Sequence, residues 1–382
     1  MKIVLSGVET NNKGAELMLY AILQEIERRF PGAEVYIPYF RLRQGLGYVK
    51  TSLDLKYTPF SKQVHKWYLK VIFYKLHLPM RNLNLTNIVR GADWFLDGSG
   101  FAFSDQWHLH DDDVKMWNDM LSTLRSDGCK IIFLPQAFGP LEDNNTRKAI
   151  AVLNNFASVL MTREKVSYDY VVKSGLVNIN KIKMYPDFTS LVKGVFPIQY
   201  DKFRGGVCII PNMKMIIKNI ISYEDYVEFV SLVIKKCKSL HRPVYLLNHG
   251  GNEDEELAYR CSNSIGGDVE VVTGLNALEV KGLIETAYAV ITSRFHGLAS
   301  ALNSGVPALA TSWSHKYEEL FKDFNMSAGI LPVNNIEETI RMVDAFLDEV
   351  NIASVREKIR NRGNAIQAKN KEMWDFIWNL KE

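Results

Sequence analysis

The sequence lacks the features that mark disulfide-stabilised, zinc-binding and membrane-spanning proteins. Its four cysteines, Cys129, Cys208, Cys237 and Cys261, are scattered without C-x-x-C spacing, so neither a zinc site nor a disulfide framework is expected. No run of about 18 apolar residues is present, and the apolar amino terminus is too short for a signal peptide. We therefore expect buried, reduced thiols and a cytoplasmic protein.

An excess of charge of one sign is also missing. The chain has 46 basic and 43 acidic residues, a formal net charge of +3, and 47% hydrophobic residues. This composition is typical of a globular protein and shows no basic stripe of the kind that nucleic-acid binding needs. At 382 residues the chain is long enough for two domains, each with its own core.

Short apolar runs alternate with amphipathic stretches along the whole chain. Strands that are apolar throughout, with helices between them, predict parallel sheets that are covered on both faces. We predict an α/β fold with two Rossmann-like domains that face a cleft, in which ligands bind beyond the carboxyl ends of the strands. The runs are KIVLSGV, AEVYIPY, DWFLDG, KIIFLPQ, SVLMTR, IKMYP, GVCIIP, PVYLLNH, VEVVTG, AVITS and PALATS.

The pattern of runs restarts after residue 200, and Phe196 to Gly206 has neither the helical nor the strand period. We interpret that segment as a linker. The sequence therefore predicts an N-terminal domain on the acceptor side over 1–195, a C-terminal domain on the donor side over 206–348, and a helix over 349–382 that packs back.

A basic insertion, about 55–92, interrupts the first predicted domain. From Leu55 to Ala92 there is no Asp or Glu, and Lys62, Lys66 and Lys70 fall on one face of a predicted amphipathic helix. Such a helix can lie on an anionic membrane surface, where each cation contributes about 1 kcal/mol. A core-packed helix with a solvated lysine face also fits this periodicity.

The most informative segment joins a strand to a small-residue helix. Arg294 and His296 fall where the run AVITS ends, and the element GVP (305–307) closes the helix. The first turn of a helix has unpaired N–H groups and a partial positive charge, so cations beside it make a site for phosphate or carboxylate. Lys316 can add a third cation. Three cations would repel one another without an anion, which favours a binding function.

Two glycine turns follow strands of the first domain. In NNKGAEL, Gly14 would let the backbone approach a ligand closely, and Glu16 would present a carboxylate that can act as a base toward a sugar hydroxyl. The alternative is that Asn11 or Asn12 caps the helix and Glu16 offsets its dipole. The second turn, DGSGFAFSD, runs from Asp97 and repeats the arrangement.

Two more strand ends carry candidate side chains. TRE places Arg163 at a strand end, although an arginine there is often a surface residue. NHGGNED places His249 in a glycine loop, where it either contacts substrate or has a structural role.

Taken together, these motifs resemble the polysaccharide pyruvyl transferase family. The resemblance extends from the first strand to about residue 325 without the basic insertion, and its most specific part is the R-x-H-G element followed by GVP. It rests on Asn12, Gly14 and Glu16, the DGSG turn with Asp105, QAFGP (136–140), TRE (162–164), YPD (185–187), SRFHG (293–297), GVP (305–307) and Lys316.

The resemblance implies a fold like the two-domain GT-B glycosyltransferases and an activity. Members transfer the pyruvyl group of phosphoenolpyruvate to two hydroxyls of one sugar as a cyclic ketal. On this basis Arg163, Arg294, His296 and Lys316 would hold the donor's phosphate and carboxylate. His296 is our choice for the acid because imidazole titrates nearest neutrality.

Glu16 is the expected base, with Asp97 and Asp105 in reserve. No metal ligands or cofactor are expected beyond phosphoenolpyruvate as the donor substrate. Further expected contacts with substrate come from Asn12, Gly14, Gly98, Ser99, Gly100, His249 and Gly297.

The sequence departs from the family pattern at two places. Gly14-Ala15-Glu16 stands where many relatives have Gly-Asp-Glu, so Glu16 is the remaining candidate base. The turn Gly98-Ser99-Gly100 stands where relatives have three glycines.

Two other functions are compatible with the sequence. A nucleotide-sugar glycosyltransferase would share the fold, but the positions of the two glutamates of retaining members correspond here to Thr292 and Ser300. A non-catalytic anion-binding scaffold in a polysaccharide assembly complex is the third. The acceptor sugar is not encoded in any motif. The basic insertion favours a lipid-linked acceptor and peripheral association with the inner face of the plasma membrane.

Overall fold

The computed structural model describes residues 1–10, 12–38, 51–58, 90–326 and 328–380. The chain divides into two compact units. The N-terminal unit comprises Met1–Asn11, Met18–Phe188 and Met373–Glu382, and the C-terminal unit comprises Asn12–Leu17 and Thr189–Glu372. The division of the sequence at 195 and 206 stays a prediction of domain boundaries.

Seven described strands form the parallel sheet of the N-terminal unit. They are β1 (Lys2–Ser6), β2 (Glu34–Pro38), β3 (Asp54–Thr58), β4 (Trp94–Asp97), β5 (Lys130–Gln136), β6 (Val159–Thr162) and β7 (Ile182–Met184). Their order across the sheet is β3-β2-β1-β4-β5-β6-β7. The helices of this part of the chain are α1 (Lys13–Arg29), α2 (Asp111–Ser126), α3 (Asn144–Phe156) and α4 (Lys165–Lys173), with 3-10 turns at Asp105–Trp107, Ile179–Lys181 and Phe188–Leu191.

Strand β3 was not predicted from the sequence. Among the described strands it lies at the edge of the sheet, next to β2, and Lys56 pairs there with Glu34 at 3.0 Å. An edge strand is covered less completely than a central one, so DLKYT does not show the apolar run that identified the other strands. Residues 55–58 of the predicted basic insertion are thus in a strand, while Lys62, Lys66 and Lys70 lie outside the described residues.

Five described strands form the parallel sheet of the C-terminal unit. They are β8 (Val207–Ile210), β9 (Val244–Leu247), β10 (Val271–Val272), β11 (Ala289–Thr292) and β12 (Ala308–Ala310), and the order across the sheet is β10-β9-β8-β11-β12. The helices are α5 (Lys214–Ile217), α6 (Tyr223–Lys238), α7 (Asn252–Asn263), α8 (Ala277–Glu285), α9 (Phe295–Asn303), α10 (Lys316–Asp323), α11 (Ile336–Leu347) and α12 (Glu349–Trp378). The predicted linker contains a 3-10 turn at Ile198–Phe203.

Both faces of this sheet are covered, as the apolar runs predicted. In β8, Val207 and Ile209 belong to one buried cluster, whereas Cys208 and Ile210 belong to another. Because successive side chains of a strand point to opposite faces, a strand between two helical layers must be apolar at every position. The α/β class with parallel sheets is therefore confirmed.

The strand order reverses once in each sheet, between β1 and β4 and between β8 and β11. At such a switch point the connections leave in opposite directions, and a crevice opens beyond the carboxyl ends of the two strands. The DGSG turn follows β4, and Arg294 follows β11. The fold thus places two predicted motifs where parallel sheets bind ligands.

The four cysteines are free and buried, as the sequence indicated. Burial raises the pKa of the Cys129, Cys208, Cys237 and Cys261 thiols to about 12, which makes them unreactive. No helix in the described part of the chain has both the length and the apolar character needed to cross a bilayer.

Candidate active site

The junction between β11 and α9 is held by hydrogen bonds to Ser293. Its carbonyl accepts hydrogen bonds from Nδ2 of Asn212 at 2.7 Å and from the hydroxyl of Tyr317 at 2.8 Å. Its hydroxyl lies 2.6 Å from the hydroxyls of Tyr226 and Thr311. These five residues are buried, so the strand end that carries the next residues is fixed in place. The four partners of Ser293 were not predicted from the sequence.

Arg294 occupies the N-cap position of α9, with an extended backbone. Its amide donates to Oγ1 of Thr292 at 2.9 Å. Its Nε donates to Oδ2 of Asp254 at 2.6 Å, and Nη2 contacts the same oxygen. The other oxygen of Asp254 accepts from the amide of Met213 at 2.9 Å.

The pairing with Asp254 shows that Arg294 needs no bound anion to offset its charge, contrary to the expectation from the sequence. The motif NHGGNED supplies an internal carboxylate, so the charge of Arg294 is compensated without any ligand. Repulsion among the cations is therefore no evidence of an anion site by itself. A guanidinium has five N–H donors, and the carboxylate engages two of its nitrogens.

Gly250 makes room for this ion pair. A Cβ at this position would overlap Nη2 of Arg294 and lie 2.8 Å from Cγ of Asp254. At the adjacent Gly251, by contrast, a Cβ would meet nothing within 4 Å. Gly250 is thus required for close approach, whereas Gly251 is not.

His296 lies against the first turn of α1. A Cβ at Gly14 would overlap Nδ1 of the imidazole and lie 2.6 Å from its Cγ. Oδ1 of Asn12 accepts a hydrogen bond from the amide of Gly14 at 3.0 Å, so Asn12 caps the helix that presents this glycine. The close approach that the sequence predicted for Gly14 is an approach to the His296 side chain.

Glu16 forms a buried ion pair in the same turn. Nζ of Lys13 donates to Oε2 of Glu16 at 2.8 Å, and both side chains are buried. Lys13 was not predicted from the sequence. It follows Asn12 directly, and its signal was the spacing of three residues from Glu16, which suits an ion pair on a helix.

His249 lies close enough to this cluster for its charges to act on it. The side chain is 2% exposed, and its Nδ1 has no hydrogen-bond partner within the described part of the chain. Burial lowers the pKa of His249 well below its ordinary value, and the charges of Arg294, His296 and Lys13 lower it further. A neutral imidazole follows from this environment. The C-terminal unit thus brings Lys13, His249, Arg294 and His296 together.

Lys316 begins α10 beside three aromatic rings. Its Nζ lies 4.1 Å from the ring centroid of Trp313, 5.3 Å from that of Phe295 and 5.9 Å from that of Tyr317. Ring faces attract cations, so these contacts hold the ammonium group. The ring of Phe295 also lies edge-on to His296, with centroids 5.2 Å apart. Lys316 and His296 therefore share an aromatic neighbour.

Gly297 has a packing role. A Cβ there would lie 2.8 Å from Oγ1 of Thr292 and 3.0 Å from Cδ1 of Ile210. This glycine lets α9 lie close to the ends of β8 and β11.

In the N-terminal unit the DGSG turn packs against the turn after β1. Oδ1 of the fully buried Asp97 accepts a hydrogen bond from the amide of Ser99 at 3.2 Å. Gly7 has a φ of +72°, and a Cβ there would lie 2.6 Å from the amide and Cα of Ser99. The chain can carry Ser99 here because Gly7 leaves the space. A Cβ at Gly98 would lie 3.0 Å from Cδ1 of Ile22, and one at Gly100 would lie 2.9 Å from Cε of Met18, so both glycines lie against apolar side chains of α1.

Asp105 holds the neighbouring loop. Its two carboxylate oxygens accept hydrogen bonds from the amides of Glu142 at 2.9 Å and Asp143 at 3.1 Å. A carboxylate engaged in this way positions backbone, so the contacts give Asp105 a structural role. Its use as a reserve base is therefore not carried further.

Arg163 is buried between two carboxylates, and the alternative of a surface arginine is wrong. Its Nη1 lies 3.3 Å from Oδ2 of Asp187, and its Nε lies 3.4 Å from Oε2 of Glu164. The TRE and YPD motifs are thus parts of one ion-paired group. Arg163 belongs to the N-terminal unit, whereas Arg294, His296 and Lys316 belong to the C-terminal unit.

A model of the polysaccharide pyruvyl transferase family matches residues 12–315. The chain belongs to the polysaccharide pyruvyl transferase family. The match begins at Asn12, includes Arg294 and His296, and ends one residue before Lys316. The resemblance inferred from the motifs is thereby confirmed. None of the curated proteins compared with this chain matches it.

Solved structures show the same architecture. Anabaena HepE in complex with UDP and glucose is 12% identical, with a TM-score of 0.57 and full coverage of both chains. WaaG, a glycosyltransferase of lipopolysaccharide biosynthesis, is 13% identical, with a TM-score of 0.55 and full coverage of both chains. The UDP-GlcNAc 2-epimerase of Methanocaldococcus jannaschii is 10% identical, with a TM-score of 0.54 over 96% of this chain and 100% of that one. At these identities the likeness shows the fold alone, and that fold is GT-B-like.

Proposed function

We propose that this transferase moves the pyruvyl group of phosphoenolpyruvate onto two hydroxyls of one sugar, as a cyclic ketal, in the biosynthesis of a surface polysaccharide. Family membership supports a polysaccharide pyruvyl transferase. The observation that carries the choice of an anionic donor is the cluster of Lys13, His249, Arg294 and His296 beyond β11. Lys13, Arg294 and His296 meet around the neutral His249 at the switch point of the sheet, beside the first turn of α9.

The anionic groups of phosphoenolpyruvate fit the hydrogen-bond donors that this cluster offers. Phosphoenolpyruvate carries nearly three negative charges, and charge-assisted hydrogen bonds are the strong class. Arg294 would bind it through the guanidinium donors that Asp254 does not engage, and the amides of the first turn of α9 would add neutral donors. Lys316 supplies a further cation. Arg163, which is already engaged by Asp187 and Glu164, is proposed to hold the TRE and YPD motifs together within the N-terminal unit and not to bind phosphoenolpyruvate.

The proposed reaction has one acid and one base. His296 protonates the methylene carbon of phosphoenolpyruvate while the first sugar hydroxyl adds to the neighbouring carbon and gives its proton to Glu16. The bond from that carbon to the phosphate oxygen then breaks, and phosphate leaves with the electron pair. The second hydroxyl closes the ring, and its proton is released with the phosphate. Lys13, whose Nζ lies 2.8 Å from Oε2 of Glu16, holds this carboxylate in position.

Mass spectrometry of candidate saccharides incubated with phosphoenolpyruvate tests the proposal. We expect the mass of an added pyruvyl ketal. His296→Ala should reduce turnover by about 10²- to 10⁴-fold, as expected for loss of a general acid. Arg294→Ala should raise the KM for phosphoenolpyruvate. Near-normal kinetics in both variants would exclude these roles.

A nucleotide-sugar glycosyltransferase is the second candidate, because several proteins of this fold bind UDP. The structure offers no carboxylate at the two positions where retaining members have one. Thr292 caps the amide of Arg294 through Oγ1, and Ser300 is buried inside α9. Thermal shifts with phosphoenolpyruvate, UDP and GDP separate the two functions. Stabilisation by a nucleotide but not by phosphoenolpyruvate would favour the glycosyltransferase, and donor binding without turnover would favour a scaffold.

We further propose a lipid-linked acceptor at the inner face of the plasma membrane. Its support is the basic sequence from Lys62 to Lys75, which lies outside the described residues. Co-sedimentation with anionic liposomes should weaken when Lys62, Lys66 and Lys70 are replaced together by glutamine. Unchanged binding would remove this part of the proposal.

A further inference from the structure

An exposed tryptophan follows the DGSG turn. Trp107 is 42% exposed, and it is the only exposed tryptophan among those that the structure describes. It lies between β4 and α2, after the carboxyl end of a strand at the switch point of the N-terminal sheet. Exposing an indole costs about 25 cal/mol for each Å² of apolar surface. This large aromatic side chain lies at the edge of the sheet where parallel sheets bind ligands, so a bound ligand would cover it.

The loop that carries Trp107 is clamped by the loop after β5. Asp105 accepts amides from Glu142 and Asp143, and its own amide donates to the carbonyl of Pro140 at 3.0 Å. Nearby, Phe103 stacks on Phe138, with ring centroids 6.0 Å apart and an interplanar angle of 14°. A residue held in this way loses little conformational freedom when a ligand binds.

The residues that flank Trp107 also have fixed conformations. The ring of Phe101 lies edge-on to the indole, with centroids 6.0 Å apart. His108 has a φ of 45°, the left-handed region that residues other than glycine rarely adopt. Backbone in such regions is found preferentially at functional sites.

We propose that Trp107 is the stacking surface for an uncharged pyranose ring of the acceptor saccharide, an inference that rests on the proposed function. The faces of an indole carry partial negative charge, which attracts the polarised C–H groups of one face of a pyranose. Gln106 and His108 precede and follow Trp107 in the chain, and both have planar polar groups that suit sugar hydroxyls.

The charge of the segment around Trp107 favours an uncharged pyranose ring as the ligand. Between residues 101 and 114 there are four aspartates and no lysine or arginine. Asp105 binds two amides, and Asp113 accepts a hydrogen bond from the amide of His110 at 3.0 Å. Asp112 is exposed, as is Asp111, which pairs with Lys148 at 2.9 Å. With no lysine or arginine between residues 101 and 114, the segment itself offers no cation to the carboxylate of a uronic acid, whereas a neutral hexose needs none.

Saccharide binding without phosphoenolpyruvate tests this inference apart from catalysis. The neutral probes are cellohexaose and maltohexaose, the charged probe is an oligogalacturonate of the same length, and binding to the full chain is measured by calorimetry. We expect Trp107→Ala to weaken binding of at least one neutral probe by about 3- to 10-fold, and Trp107→Phe to stay within about twofold of wild type. The oligogalacturonate should bind more weakly than the neutral probes.

The matched control is Tyr259→Ala, an aromatic of similar exposure, 45%, on α7. It should leave saccharide binding unchanged, and none of the three variants should alter the thermal shift that phosphoenolpyruvate produces. Wild-type affinity in Trp107→Ala, or an equal loss in Tyr259→Ala, would overturn the inference.

A fluorescence measurement guards against misfolding of the alanine variant. The saccharide should change the tryptophan emission of wild type, and this change should disappear in Trp107→Phe although calorimetric binding persists. An unchanged response in Trp107→Phe would contradict stacking on Trp107. If the saccharide binds as expected but no ketal forms with phosphoenolpyruvate, the proposed function fails while the saccharide site stands.

Discussion

Small residues at strand ends decide how closely the charged side chains of this protein can be placed. Gly14 leaves room for the imidazole of His296, and Gly250 leaves room for the pair of Arg294 and Asp254. In both cases the neighbour is a side chain proposed to act on the donor. Replacing either glycine by alanine should therefore affect catalysis or donor binding more than it affects the fold.

Gly250→Ala tests this at the residue scale, with Gly251→Ala as its neighbour and control. The new Cβ at 250 would overlap Nη2 of Arg294, so the guanidinium must move. We expect the KM for phosphoenolpyruvate to rise by about tenfold, the equivalent of roughly 1.4 kcal/mol. At Gly251 a Cβ meets nothing within 4 Å, and kinetics should stay within about twofold. Equal effects of the two substitutions would show that Gly250 does not act through Arg294.

At the scale of single elements, α12 contributes its last turns to the N-terminal unit, which includes Met373–Glu382. Trp374 is 1% exposed, and its ring stacks on Trp378 with centroids 5.8 Å apart and meets the edge of Phe188 at 6.2 Å. Nε1 of Trp378 donates to Oε1 of Glu25 at 3.0 Å. The end of this helix is therefore part of the core of the N-terminal unit.

Trp374→Ala should lower the free energy of unfolding by about 3 to 5 kcal/mol, because it leaves a large cavity in that core. Urea denaturation followed by circular dichroism measures the loss. Lys371→Ala, at an exposed position on the same helix, should change stability by less than about 0.5 kcal/mol. A Trp374→Ala protein as stable as wild type would show that α12 is dispensable for this unit.

At the scale of the whole molecule, the buried His249 links stability to pH. Burial lowers its folded-state pKa well below the ordinary value of 6.5, so between the two values the unfolded chain binds a proton that the folded chain does not. The contribution to stability is fully present above about pH 6.5. It is lost as the pH falls toward the folded-state pKa.

We therefore expect the stability of wild type to fall relative to His249→Asn below pH 6.5, by up to about 1.4 kcal/mol for each pH unit. Urea unfolding of both proteins from pH 5 to pH 8 measures this difference. His241→Asn replaces an exposed histidine and should follow the wild-type curve. Parallel curves for wild type and His249→Asn would mean that His249 does not carry the effect.

The sequence by itself determined the α/β class, most of the strands and the family. These depend on local patterns, namely apolar runs that reflect burial on two faces and motifs that follow strand ends. The strand β3 was not predicted, because a strand at the edge of the described sheet needs no continuous apolar run. Trp107 was not predicted as a binding residue, because the solvent exposure of its side chain cannot be read from the neighbouring residues in the sequence.

Only the tertiary structure decided the partners of the charged residues. Arg294 and Asp254 are 40 positions apart, and Gly14 and His296 come from distant parts of the chain. No periodicity or spacing encodes such pairs, because strand order and helix packing bring them together. The sequence could therefore place a cation at a strand end. Only the fold showed which carboxylate compensates its charge and which of its N–H groups remain to bind a substrate.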